Sequence, residues 1–205
     1  VAVYKTSNSG LLTRREYTSF LAGNSQFIPW EPSSAYDSIA TTTLSTATAS
    51  VTFNSIPATY THLQIRATAR GTSTVDSFVL RFNNDTSISN YNSHYLYGSG
   101  SAASGATQGV TSYMFVGSMP TSSSTANSFG ATVIDILDYT SVNKTKVTRS
   151  LTGQDNSGSG GMVVFGGIWF NSSLSAVTRI DIFPNASTGN FAQYSSFALY
   201  GIKGA

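Results

Sequence analysis

The sequence predicts an all-β protein: an antiparallel, jelly-roll-like β-sandwich over residues 36–205, preceded by an N-terminal arm, residues 1–35, that carries a short helix. Three observations lead there. In the run from His62 to Arg70, Leu63, Ile65, Ala67 and Ala69 fall on one parity, whereas Gln64, Arg66 and Thr68 fall on the other. That is the two-residue period of a strand with one dry face and one wet face. About ten short β-prone runs recur between small, polar or Gly-bearing stretches, the spacing of a sandwich. Roughly three residues in ten are Ser or Thr, a β-leaning, turn-rich usage. Aromatics reach 12%, too many for a disordered Ser/Thr chain.

Taken in order, the chain begins with a helix signal. Thr13-Arg14-Arg15-Glu16 fits a capping box, and Leu12 with Tyr17 would form the hydrophobic staple around it. Tyr17, Phe20 and Leu21 then share one face, and Gly23 offers a left-handed stop, so a helix is expected over Arg14–Ala22. A helix this short is marginal alone in water and needs a surface to form against. Phe27, Ile28 and Trp30, among Pro29 and Pro32, continue as an extended apolar linker. The segment either folds back on its own domain or docks on another subunit. For the second case the contact residues are Leu11, Leu12, Tyr17, Phe20 and Leu21 from the helix region and Phe27 and Trp30 from the linker.

Strands follow over Tyr36–Leu44, Ser50–Phe53, Thr61–Arg70, Ser77–Asn83 and Tyr91–Tyr97. Further strands are expected over Val110–Val116, Phe129–Leu137, Lys146–Leu151, Met162–Phe170, Val177–Phe183 and Ser196–Ile202. The intervening Asn83-Asn84-Asp85, Thr121–Asn127, Gln154–Gly161 and Asn185–Asn190 read as turns. Gly98–Gly109 is low in complexity and is expected to be a mobile surface loop. In Thr132–Leu137 both parities are largely apolar around Asp135, which predicts a central, partly buried strand.

Only 10% of residues are charged and the net charge is +2, which argues against a nucleic-acid partner and its basic stripe. There are no cysteines, so disulfides and thiolate metal sites are excluded. The first residues lack the apolar region of a secretory signal, and no apolar run reaches transmembrane length. A soluble protein without a membrane partner is expected.

Chemistry is sparse. His62 and His94 sit in neither HExxH nor HxH spacing, and no GxSxG elbow holds a nucleophile, so no catalytic, metal or cofactor residue is assigned. Asp135 and Asp138 are three apart, but a glycosidase needs its two carboxyls facing across a cleft. Asn83-Asn84-Asp85 lacks the ligand run of a calcium loop and reads as an Asx turn. The sequons at Asn84, Asn143, Asn171 and Asn185 are expected by chance in a Ser/Thr-rich chain. Tyr91, Tyr95 and Tyr97 share a parity and either pack the core or offer a sugar-stacking platform. Arg66, Arg70, Arg81, Arg149 and Arg179 are expected on solvent faces beside acids such as Asp181, or across a subunit interface.

Four stretches together carry a resemblance: Tyr36-Asp37-Ser38-Ile39-Ala40; Val51-Thr52-Phe53-Asn54-Ser55-Ile56-Pro57 on to Leu63; Leu80-Arg81-Phe82-Asn83-Asn84-Asp85; and Tyr194 through Ala198-Leu199-Tyr200-Gly201-Ile202 to Ala205. With the leader-like Tyr4–Thr13, this set resembles a family of virion structural proteins encoded by tailed bacteriophages. The resemblance implies a capsid decoration (cement) protein in the virion, assembled in the host cytoplasm, with the major capsid protein as partner and a homotrimer as the assembly. A tail or head fibre module that binds a receptor or a host surface glycan is the alternative. The family brings no catalytic motif, so the resemblance implies no enzyme activity and no cofactor.

Overall fold

The computed structural model describes residues 35–155, 160–185 and 189–204. The expected helix and all seven docking residues of the arm lie outside the described residues. Twelve strands lie in one unit, Tyr36–Ala205. They are β1 (Tyr36–Thr43), β2 (Val51–Phe53), β3 (His62–Ala69), β4 (Ser77–Phe82), β5 (Tyr91–Gly98), β6 (Ala103–Thr111), β7 (Met114–Ser118), β8 (Gly130–Leu137), β9 (Lys146–Asp155), β10 (Gly160–Trp169), β11 (Ile180–Pro184) and β12 (Ser196–Ile202). Among the described residues there is no helix. A large sheet runs β1-β12-β3-β8-β9-β10-β5-β6 and a small one β2-β11-β4-β7, with every neighbouring pair antiparallel. The result is a sandwich-like all-β domain, as its alternating strands require.

The alternation in β3 holds. Leu63, Ile65, Ala67 and Ala69 are buried and Arg66 and Thr68 are exposed. Gln64 is the correction: it lies on the outward face yet is buried, because Asp135 on β8 and Arg66 close over it. Its amide donates to Asp135 Oδ1 at 2.9 Å and its oxygen accepts from Arg66 Nε at 3.1 Å. The larger correction is at Gly98–Gly109. Residues 103–111 are not a loop but β6, the edge strand paired with β5 through a turn at Ser99–Ala102. A ladder of backbone hydrogen bonds needs no apolar parity, so Ala, Ser, Gly and Thr suffice at an edge exposed on both faces. The strand expected over Val110–Val116 is broken in two at Ser112-Tyr113. There the chain leaves the large sheet for the small one, and Arg81 Nε holds the Ser112 carbonyl at 3.1 Å.

Two clusters fill the interior. The main one packs Leu63, Ile65, Ile134, Leu80, Ile182 and Leu199 between the sheets, each side chain contributing about 1.5–3 kcal/mol by its burial. Phe78, Phe191 and Phe197 meet there edge to face at 4.8–6.4 Å. A bulge between Phe78 and Val79 seats Phe78 against Gly117, where any Cβ would lie 2.0 Å from the ring. On the opposite parity of β4 and β7, Val79 and Phe115 form a second cluster with Val163 and Phe165 of β10. Edge strand β7 is therefore buried on both faces.

Candidate functional site

Most residues singled out for chemistry are committed to structure, whereas His94 is exposed on β5. His62 Nδ1 accepts the Asp138 backbone N–H at 3.0 Å, which uses that nitrogen as a cap for the β8 end. Asp138 also takes the Lys144 ammonium at 2.6 Å, and this contact holds its carboxyl below the usual carboxylate range. Asp135 is tied to Arg149 at 3.0 Å, so each carboxylate of the spaced pair has its own cation. Asp181 is held by Arg179 at 2.7 Å and by the Thr52 hydroxyl at 2.7 Å. Arg70 instead spans the carbonyls of Ser124, Thr125 and Ser128. Among the described residues no group of three or more His, Cys, Asp or Glu could hold a metal ion.

Asn83-Asn84-Asp85 is a turn, with Asn83 and Asn84 at φ near +50° as Asx residues tolerate. Asp85 works inward from it. Its Oδ2 accepts the Trp169 indole N–H and the Asn90 amide, both at 2.7 Å, and its Oδ1 accepts the Ser87 N–H at 3.0 Å. Partial burial pushes its carboxyl up, but these donors outweigh it and bring the pKa down to about 2. The tyrosines also face inward. Tyr91 stacks on Trp169, its hydroxyl pairs with the backbone of Phe82, and burial pushes its pKa up. Tyr95 and Tyr97 pack on the second cluster. They pack the interior, which leaves no row of tyrosines outward on β5 for a sugar.

The unexplained surface is the outward face of β8, β9, β10 and β5. Strand β9 is the key, because its amphipathicity is inverted. Lys146, Thr148, Ser150 and Thr152 point inward and are buried, while Val147 and Leu151 point outward and are exposed. The inward polar groups are accommodated one by one. Lys146 Nζ donates to the carbonyls of Ser141 and Lys144, and burial lowers its pKa. Thr152 Oγ1 pairs with Thr132 Oγ1 at 2.7 Å and with the Ser118 backbone. Ser150 Oγ has no hydrogen-bond partner. A strand that turns its aliphatic side chains to water and its hydroxyls to the interior reverses the usual sorting.

Its neighbours continue the outward rows. Val133, Leu151, Val164 and Leu96 stand opposite one another across β8, β9, β10 and β5. Leu137 stands opposite Val147 in a parallel row, and Met162 and Val110 extend the face at its ends. These eight side chains are 38–69% exposed. Between the aliphatic rows runs a polar one, Asp135 opposite Arg149, then Gly166 and His94. A Cβ at Gly166 would meet nothing within 4 Å. Around it lies an open depression of 520 Å³ walled by His94, Leu96, Val164, Gly105 and Thr107. It is broad, shallow and aliphatic, with no converging donors. That chemistry suits a protein surface pressed against it better than a small polar ligand.

The period of a single strand does not reveal this face, although β8 and β10 carry its signal, apolar residues on both parities. Comparison of the chain with protein-family models, with curated proteins and with solved structures finds no match in any of the three.

Proposed function

We infer that the protein is a non-enzymatic structural component of a tailed-bacteriophage virion, a capsid decoration protein that binds the major capsid protein through its N-terminal arm and stabilises the head. The observation that carries an assembly role is the uncovered aliphatic face of β8, β9, β10 and β5. A chain meant to work alone in water has no use for it, and one that works among many copies does. The kind of assembly comes from the resemblance, whose stretches fall on β1, β12 and β3, adjacent in the large sheet, and on β2 and β4, which flank β11 in the small one. The jelly-roll likeness and the helix-bearing arm belong to the same proposal. The homotrimer rests on the resemblance alone, and the two-fold pairing proposed below would stand in its place.

A decoration protein adds buried contacts across shell joints, and each modest contribution is repeated over the particle. Particles carrying the protein should therefore resist heat better than particles stripped of it, and imaging should find hundreds of copies on the head. Unchanged particle melting, or a handful of copies at the tail, would transfer the assignment to the fibre module. That alternative is weakened by the inward Tyr91, Tyr95 and Tyr97, which remove the platform expected to stack on a sugar.

A further inference from the structure

We propose that two copies of this chain pack sheet against sheet through the outward face of β8 and β9, about a two-fold axis along the β8–β9 seam. An isologous interface demands a surface complementary to itself. This one is. An axis parallel to the strands and midway between β8 and β9 exchanges the two strands. It sets Val133 of one copy over Leu151 of the other, Leu137 over Val147, and Asp135 over Arg149, because each of these pairs stands side by side in the register of one copy. The acidic and basic ends of the polar row are exchanged, so opposite charges meet twice. Farther out the same axis lays β10 of one copy over β3 of the other, Val164 over Arg66, so the match is a property of the seam.

Three further observations favour a second copy. First, the seam is aliphatic. Its four side chains Val133, Leu137, Val147 and Leu151 are 38–48% exposed. Second, the charges are poised for it. Arg149 is 76% exposed although it already touches Asp135, whose side chain retains 21% exposure, so a second carboxylate can reach the guanidinium without breaking the first contact. Sheets packed face to face stand about 10 Å apart, within the span of an arginine meeting an aspartate. Third, β9 gives up its own interior. Val147 and Leu151 point away from the core while Ser150 is buried with its hydroxyl unpaired, an arrangement with a natural benefit only when a dry surface lies on the outside as well.

Sedimentation equilibrium of the full-length chain tests this directly. The wild-type chain should dimerise reversibly. Arg149→Asp leaves a wholly acidic seam and should weaken the dimer at least tenfold, with an unchanged far-ultraviolet spectrum because the side chain is mostly in solvent. Asp135→Arg leaves a wholly basic seam and should do the same. Mixed in equal amounts, the two variants should pair with each other, since the acidic face of one then meets the basic face of the other. Should Asp135→Arg fail to fold, Leu151→Asp supplies the second test and should also weaken the dimer tenfold. A wild-type chain that stays monomeric at about 100 μM, where even a weak contact is populated, overturns the proposal. So does a trimer, a dimer indifferent to Arg149→Asp or Leu151→Asp, or a mixture of folded charge variants that remains monomeric.

Discussion

The large sheet meets solvent in two different ways along its length. Over β1, β12 and β3 its outward positions include a closed polar group. The Arg66 guanidinium lies over the rings of Tyr200 and Tyr36 at 5.4 and 5.9 Å, and Gln64 is sealed between Asp135 and Arg66. Over β8, β9, β10 and β5 the same alternation puts Val133, Leu151, Val164 and Leu96 outward and exposed. One half has been finished for water and the other has not. Strand geometry does not account for the difference, since both halves share one antiparallel ladder. It lies in the choice of side chain at equivalent positions, and that choice marks where a molecule ends and where it expects contact.

The largest test of this contrast compares two adjacent residues on β8. Ile134 is fully buried and Val133 is outward. Ile134→Ala should cost about 3 kcal/mol in denaturant unfolding, and Val133→Ala less than about 0.5 kcal/mol in the monomer. A large monomer penalty at Val133 would mean that the outward face is already covered within the chain. The second comparison is between two glycines on β10. A Cβ at Gly167 would meet Thr148 Oγ1 at 2.6 Å and Met114 Sδ at 2.9 Å, whereas one at Gly166 meets nothing. Gly167→Val should cost about 2 kcal/mol by overpacking. Gly166→Val should leave the melting temperature unchanged or raise it slightly, as a β-branched residue replaces glycine in a strand.

A smaller effect separates the finished half. Arg66→Ala removes two ring contacts and the partner of Gln64, and should lower stability by about 1 kcal/mol. The matching change in the open half, Leu151→Ser, should leave monomer stability within about 0.5 kcal/mol. A further effect concerns pH. Asp85, at the Trp169 end of β10, has its pKa depressed to about 2 in the folded chain. Its stabilisation is complete above the unfolded value of about 3.9 and is lost as the pH falls from there towards 2, an effect on the order of 1 kcal/mol after solvent screening. The Asp85→Asn variant should melt with a flatter profile between pH 4 and 2, measured by circular dichroism.

How much of this was legible depended on whether the signal was local. The alternation of Leu63 to Ala69 gave β3 and its inward face directly, because strand period is a property of a few consecutive residues. Burial of Gln64 was not legible, since its partner Asp135 lies 71 positions away and only the sheet order brings them together. Strand β6 was hidden because Ala, Ser, Gly and Thr carry no period, and its backbone pairing with β5 is what shapes it. The open face was half legible. Thr132–Leu137 is central and partly buried, as its mixed parities predict, but periodicity does not show that Val133 and Leu137 are the exposed ones. For β9, alternation identifies the apolar parity but not the side of the sheet it faces. Only the neighbours β8 and β10 settle that, and they turn Val147 and Leu151 outward.

The place of β12 between β1 and β3 governs when the domain can form during synthesis. Strand β1 leaves the ribosome first, yet β12, its one neighbour among the described residues, is translated last. Until β12 emerges, β1 has no ladder to join and β3 presents one unpaired edge, so the large sheet is interrupted at its polar end. The hairpin of β9 and β10 can close early, while the polar end waits for a contact separated by nearly the whole domain. Completion of this domain therefore waits until Ser196–Ile202 has emerged, and a nascent chain stalled before Ser196 should remain open to protease at Tyr36–Thr43 while β9 and β10 are already protected.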